Sequence, residues 1–122
     1  MILADTSIWI DHFRSADPEL QRQLHNGEIL THPFVVGELA LGPLPGRTKA
    51  LAFLDLMPCV RNAHQDEVRR MIEAHSLHNR GIGLIDAHLL ASTLITPNTQ
   101  LWTRDSCLKR IARSVGVLSP LS

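Results

Sequence analysis

The chain has no tyrosine, and aromatic residues of any kind make up 4% of its 122 residues. Proteins that grip single strands by stacking bases on aromatic platforms need more, so stacking is not the main device here. Neither sign of charge is in excess: twelve basic and twelve acidic residues give a formal charge of zero and a pI of about 7.1. That leaves no global electrostatic case for nucleic acid. Cysteine is limited to Cys59 and Cys107, which fit neither a disulfide framework nor a zinc pattern. No apolar run approaches the length of a membrane span, and nothing resembling a signal peptide precedes the first apolar segment. These absences predict a soluble, cytoplasmic protein from a reducing compartment. No repeat, linker or low-complexity segment interrupts the chain, which reads as one domain over residues 1–122.

What is present begins at once. Ile2, Leu3 and Ala4 form an apolar run without a polar face, as in a strand buried on both sides. The run stops at Asp5, with Thr6 and Ser7 before apolar residues resume at Ile8. A carboxylate at the end of such a strand sits where open α/β sheets bind ligands. Capping a helix is the plainer role for a lone aspartate there, and the choice depends on what else converges on it.

Further along, strand-like runs at 28–31, 59–60, 100–103 and 115–118 alternate with helical stretches. The helices are read at Ser7–Arg14, after Asp17-Pro18, from Pro33 to Leu41, around Ala50–Met57, at His64–Asn79, at Leu84–Leu94 and at Ser106–Ser114. This alternation predicts an α/β fold with a mostly parallel sheet and helices on both faces.

Four acids fall where solvated acids do not. Asp5 ends the first strand. Glu38 shares a helical stripe with Phe34 and Leu41. Asp86 opens an otherwise apolar helix, and Asp105 follows the strand Leu101-Trp102-Thr103 and heads another. Each could be only a cap or a paired charge. Carboxylates gathered together repel, however, and a cluster of that kind needs a compensating cation. An all-oxygen donor set selects a hard ion, Mg²⁺ or Mn²⁺, which activates water in phosphodiester cleavage. Thr6, Ser7 and Thr103 are hydroxyls beside these acids, suited to positioning a water or phosphate oxygen or simply to bonding the backbone. The His75/His78 pair is too weak a pattern for zinc, and His88 lies two residues beyond Asp86, on another side of its helix.

Charge is also unevenly spread. Residues 1–40 hold six acids against Arg14 and Arg22, whereas residues 100–122 hold Arg104, Lys109, Arg110 and Arg113 against Asp105 alone. A basic tail folded onto an acidic front would supply phosphate contacts beside the acids, and Arg104, Lys109, Arg110 and Arg113 are the candidates for those contacts.

With Asp5-Thr6-Ser7, Glu38, the Gly-x-x-Asp-Ala of Gly83 to Ala87, and Thr103-Arg104-Asp105 in order, the chain resembles the PIN-domain ribonucleases, most closely the VapC-type toxins of toxin–antitoxin pairs. The resemblance implies a three-layer fold with about four or five strands around a mostly parallel sheet. It implies Asp5, Glu38, Asp86 and Asp105 as a catalytic and metal-binding quartet, Thr103 as the hydroxyl of the last motif, and Ser7 as a nearby polar group. It further implies Mg²⁺- or Mn²⁺-dependent endonucleolytic RNA cleavage that leaves 3′-hydroxyl and 5′-phosphate ends. The partners implied are an RNA substrate, a homodimer mate (guessed to meet the Leu51–Met57 helix) and an inhibitory antitoxin. Many relatives carry a further acid and a phenylalanine after Thr-Arg-Asp, where this chain has Ser106, Cys107 and Leu108. The expectation is therefore one metal, with Asp105 serving alone. A PIN nuclease of RNA maturation and an inactive binding module are the rival readings.

Overall fold

A computed structural model describes residues 1–122. β1 (Ile2–Ala4) lies at the centre of the sheet because both of its faces and both of its edges are covered. It pairs in parallel with β2 (Ile29–Leu30) on one side and with β3 (Gln100–Trp102) on the other. In register, Leu3 stands between Leu30 and Leu101, and all three are buried. Each edge is extended by one parallel bridge, Thr31 with Cys59 beyond β2 and Leu118 with Leu101 beyond β3. The sheet is thus entirely parallel. The strands expected at 59–60 and 115–118 shrink to these single bridges. Gly116, with φ at +81°, turns the chain out of extension within the second of them.

The connections are helical, as parallel pairing requires. α1 (Thr6–Arg14) follows β1, and α2 (Pro18–His25) starts with proline at its first turn, where a missing N–H is harmless. Asp17 caps α2 by accepting the Leu20 N–H at 2.9 Å. α3 (Pro33–Leu41) is capped by an imidazole, His32 Nδ1 accepting from the Phe34 N–H at 2.9 Å. α4 (Arg47–Asp55) and α5 (Gln65–Ala74) follow. The helix expected at His64–Asn79 is shorter at its C-terminal end. Ser76 and Asn79 adopt positive φ (51° and 60°), and the left-handed conformation ends a helix. α6 (Leu84–Ile95) and α7 (Ser106–Ser114) complete the chain.

The core is a cluster of 24 buried apolar residues to which every strand and every helix contributes, including Leu3, Trp9, Leu20, Val35, Leu54, Val68, Leu90, Trp102 and Ile111. No helix is long and apolar enough to cross a membrane. Because β2 lies on one side of β1 and β3 on the other, the order reverses at β1. The crevice over the carboxyl ends of β1 and β3 is where such sheets place their ligands.

Candidate active site

Asp5 and Asp105 stand at this crevice because each follows a strand and caps the next helix. Asp5 is 5% exposed and caps α1, with Oδ1 accepting the N–H groups of Ser7 (2.9 Å) and Ile8 (3.4 Å) and the Ser7 hydroxyl. Its other oxygen, Oδ2, accepts the hydroxyl of Thr103. Thr103 joins the two strand ends, since the same Oγ1 accepts the Asp105 N–H at 3.0 Å. Asp105 in turn caps α7 by accepting the Leu108 N–H at 2.9 Å. The capping role and the siting at strand ends are therefore both real, and one does not replace the other.

Glu38 arrives from α3 and is exposed. Its Oε1 accepts the Thr6 hydroxyl at 2.7 Å, which ties the helical glutamate to the residue after Asp5. Asp86 arrives from α6, half-buried at the third position of that helix. The cap proper is Gly83, so Asp86 is not the N-cap.

The electrostatics tie the four together. Burial first, then the charges of Asp105, Asp5 and Glu38, push Asp86 up to about 6. Burial also raises Asp5, against the opposing hydrogen bonds of Ser7 and Thr103. No arginine, lysine or histidine forms an ion pair with any of the four. As their side chains stand, with Asp5 and Glu38 held by hydroxyls, no three His, Cys, Asp or Glu groups close onto one point. By donor chemistry the set nonetheless suits a hard divalent ion: all oxygen, partly desolvated and short of positive charge.

The basic candidates divide. Lys109 and Arg110 lie on α7, one helical turn beyond Asp105, and Arg113 lies in its last turn. Lys109 and Arg113 form no ion pair, and Arg110 donates to Cys107 Sγ at 3.3 Å. Arg104 points elsewhere, its guanidinium holding Asp11 and Asp17. Those two acids read as ordinary solvated charges in the sequence, and only the fold brings them to Arg104. Ser122 was equally illegible: its Oγ accepts the Thr103 N–H at 3.2 Å. His88 packs its ring against Phe34 at 4.9 Å and is buried, in keeping with a structural role.

Asp86 makes stability depend on pH. Below about pH 4 it is protonated in both folded and unfolded chains and contributes nothing. As pH rises from about 4 to 6 the unfolded chain releases the proton first, so stability falls, and above 6 the full loss persists. In the metal-free protein Asp86→Asn removes this loss, worth on the order of 1–2 kcal/mol once solvent screening of a half-buried group is allowed for, or a rise in Tm of several degrees at pH 7. Thermal unfolding in chelator at pH 4 and pH 7 checks it, and a lower Tm for the variant at pH 7 would contradict the described electrostatics.

Comparison with known proteins agrees with this architecture. Residues 2–114 match the family described as PIN domain. The chain is 41% identical over 117 residues to Ribonuclease VapC32 of Mycobacterium tuberculosis, in both strain CDC 1551 / Oshkosh and strain ATCC 25618 / H37Rv, covering 96% of this chain and 94% of the relative. The chain belongs to the PIN-domain family, among its VapC-type members.

Proposed function

We propose that the protein is a Mg²⁺- or Mn²⁺-dependent endoribonuclease that acts as the toxin of a toxin–antitoxin pair. The observation that carries this reading is that Asp86 has Asp105, Asp5 and Glu38 as charged neighbours with no cation paired to any of the four, and burial first, then those three charges, push it up to about 6. The relatives named Ribonuclease VapC32 support RNA as the substrate class, and the resemblance to VapC-type toxins implies an antitoxin as the partner.

In this reading Asp5, Asp86 and Asp105 hold the ion, with Glu38 completing the acidic set. When bound, the ion lowers the pKa of water and offsets charge on the phosphodiester. The protein's own groups provide the frame. Ser7 and Thr103 fix both oxygens of Asp5, so that carboxylate has little freedom to rotate. Thr103 also fixes the backbone that carries Asp105. Thr6 steadies Glu38, an exposed carboxylate available to orient or deprotonate an attacking water. Lys109, Arg110 and Arg113 would meet phosphates flanking the scissile bond. Exposed Phe53 and Leu56 on and after α4 offer apolar surface for a second copy.

The test is cleavage of RNA by the purified, antitoxin-free protein with Mg²⁺ or Mn²⁺ against chelator. Ends bearing 5′-phosphate and 3′-hydroxyl are expected. Cleavage that persists in chelator, or no metal-dependent cleavage of any cellular RNA, overturns the reading. Charge reversal at both Lys109 and Arg110 should reduce the slope of log affinity against log salt by roughly 0.7 for each phosphate that is no longer neutralised. The measurement belongs in a cleavage-dead Asp5→Asn background, and an unchanged slope means that neither residue touches the RNA.

A further inference from the structure

Arg104 sits between the two site residues Thr103 and Asp105, and its side chain leaves the site altogether. One guanidinium nitrogen, Nη1, bonds Asp11 on α1, and the other, Nη2, bonds Asp17, the cap of α2, at 2.6 Å. Its backbone N–H donates to Ser7 Oγ at 3.1 Å, and that hydroxyl donates onward to Asp5. Arg104 is thus tied at both ends to the α1–α2 segment, across 87 to 97 residues of chain. Asp17 is committed to the same arrangement. Its Oδ1 accepts the Leu20 N–H, its Oδ2 holds Arg104, and its own N–H donates to His12 Nδ1 at 3.0 Å. Asp17 is shielded, with its side chain 15% exposed. Burial pushes Asp17 up, but the Leu20 N–H and the Arg104 guanidinium hold it below the usual carboxylate range.

From this geometry we infer that Arg104 is a positioning residue: a forked clamp that fastens the β3–α7 turn, and so Asp105 and Thr103, onto α1 and α2. It does not contact the substrate. Two consequences distinguish a clamp from a phosphate contact. The planar fork spans two carboxylates at once, which a lysine ammonium cannot do in the same fixed geometry. Pairing with Asp11 and Asp17 also keeps a strong cation away from the quartet, where it would compete with a divalent ion for the same carboxylates.

The catalytic arm of this inference rests on the proposed nuclease reading, and the structural arm does not. The variants are Arg104→Gln, Arg104→Lys and the double change Asp11→Asn with Asp17→Asn. In metal-free protein, amide hydrogen exchange across residues 103–108 should quicken by about an order of magnitude in Arg104→Gln and in the double variant alike, with the rest of the sheet unaltered. Mn²⁺ affinity, measured by calorimetry without RNA, should weaken several-fold in both. Cleavage should fall about ten- to a hundredfold in kcat with KM for RNA changed less than about twofold, because misplacement and not weakened binding is the defect. Arg104→Lys should recover part of the exchange protection.

A residue that touches the substrate predicts the opposite pattern. Arg104→Gln would then raise KM, whereas the double variant, by freeing the guanidinium, would bind RNA more tightly. That pattern, or hydrogen exchange at 103–108 that stays at the wild-type rate, overturns the clamp. If wild-type protein cuts no RNA, the nuclease reading falls while hydrogen exchange still decides the clamp.

Discussion

Asp5→Asn should lower metal-dependent RNA cleavage by at least about 10³-fold while leaving the fold intact, as expected when one member of a site that acts as a unit is removed. The substitution is close to isosteric. The asparagine carbonyl can still accept the Ser7 and Ile8 N–H groups, so α1 keeps its cap. Its amide nitrogen faces Thr103 Oγ1, which can turn a lone pair toward it in place of its proton. What disappears is the negative charge, in a position 5% exposed and framed by two hydroxyls. Circular dichroism should overlay the wild type, and Mn²⁺ should bind more weakly by calorimetry. Cleavage at the wild-type rate would assign the activity to another group.

Trp9→Ala should have the largest effect on stability, a loss of about 3–5 kcal/mol and a fall in Tm of roughly 10 °C or more. Trp9 is fully buried on α1, stacked on Phe13 at 5.8 Å and edge-on to Phe53 at 6.2 Å. Its indole N–H meets no acceptor. Trp9→Phe should therefore be much milder, about 1–2 kcal/mol, because it leaves a smaller cavity and removes a buried donor that was already unsatisfied. Calorimetric unfolding of the two variants side by side is the measurement. A Trp9→Phe variant as unstable as Trp9→Ala would mean that the indole nitrogen does have a partner. Together with Asp5→Asn, the pair separates chemistry from folding. Asp5→Asn should be stable and inactive, whereas Trp9→Ala should be fragile yet active while cool enough to remain folded.

Much of the fold was legible because single residues announce its boundaries. Asp17-Pro18 and Pro33 mark helix starts by removing an N–H that no helix uses, and both starts stand where expected. The unbroken apolar run of Ile2 to Ala4 reads as a doubly covered strand, and it is the central one. Other boundaries depend on tertiary structure. The end of α5 is marked by left-handed Ser76, which follows its cap His75 and is not a glycine, so nothing local signalled it. The last strand looked long because Val115, Val117 and Leu118 are apolar, yet that apolarity reflects packing against the core and not a ladder.

The site shows the same division. The four acids stood out because each breaks an apolar pattern, and they fall within one electrostatic neighbourhood. Arg104 also stood out, but as one of a run of positive charges, and sequence carries no information about direction. Its two acidic partners lie more than eighty positions away. A basic residue near a nucleic-acid site is naturally read as a phosphate contact. Only the fold reveals that both hands of this one are full.

The central position of β1 has a consequence for the order in which the protein forms. The N-terminal strand is made first, but its partner β3 comes near the end of the chain, and Asp5 meets Thr103 across 98 positions. Closing so long a loop yields no return until the far strand arrives, so this pairing belongs to the late, slow part of folding. During synthesis, which proceeds from the N-terminus, a growing chain holds Asp5 and Glu38 long before it holds Asp105. The four acids are present together only once Asp105 has been added, and a product that stops short of β3 lacks both the central strand's second partner and Asp105.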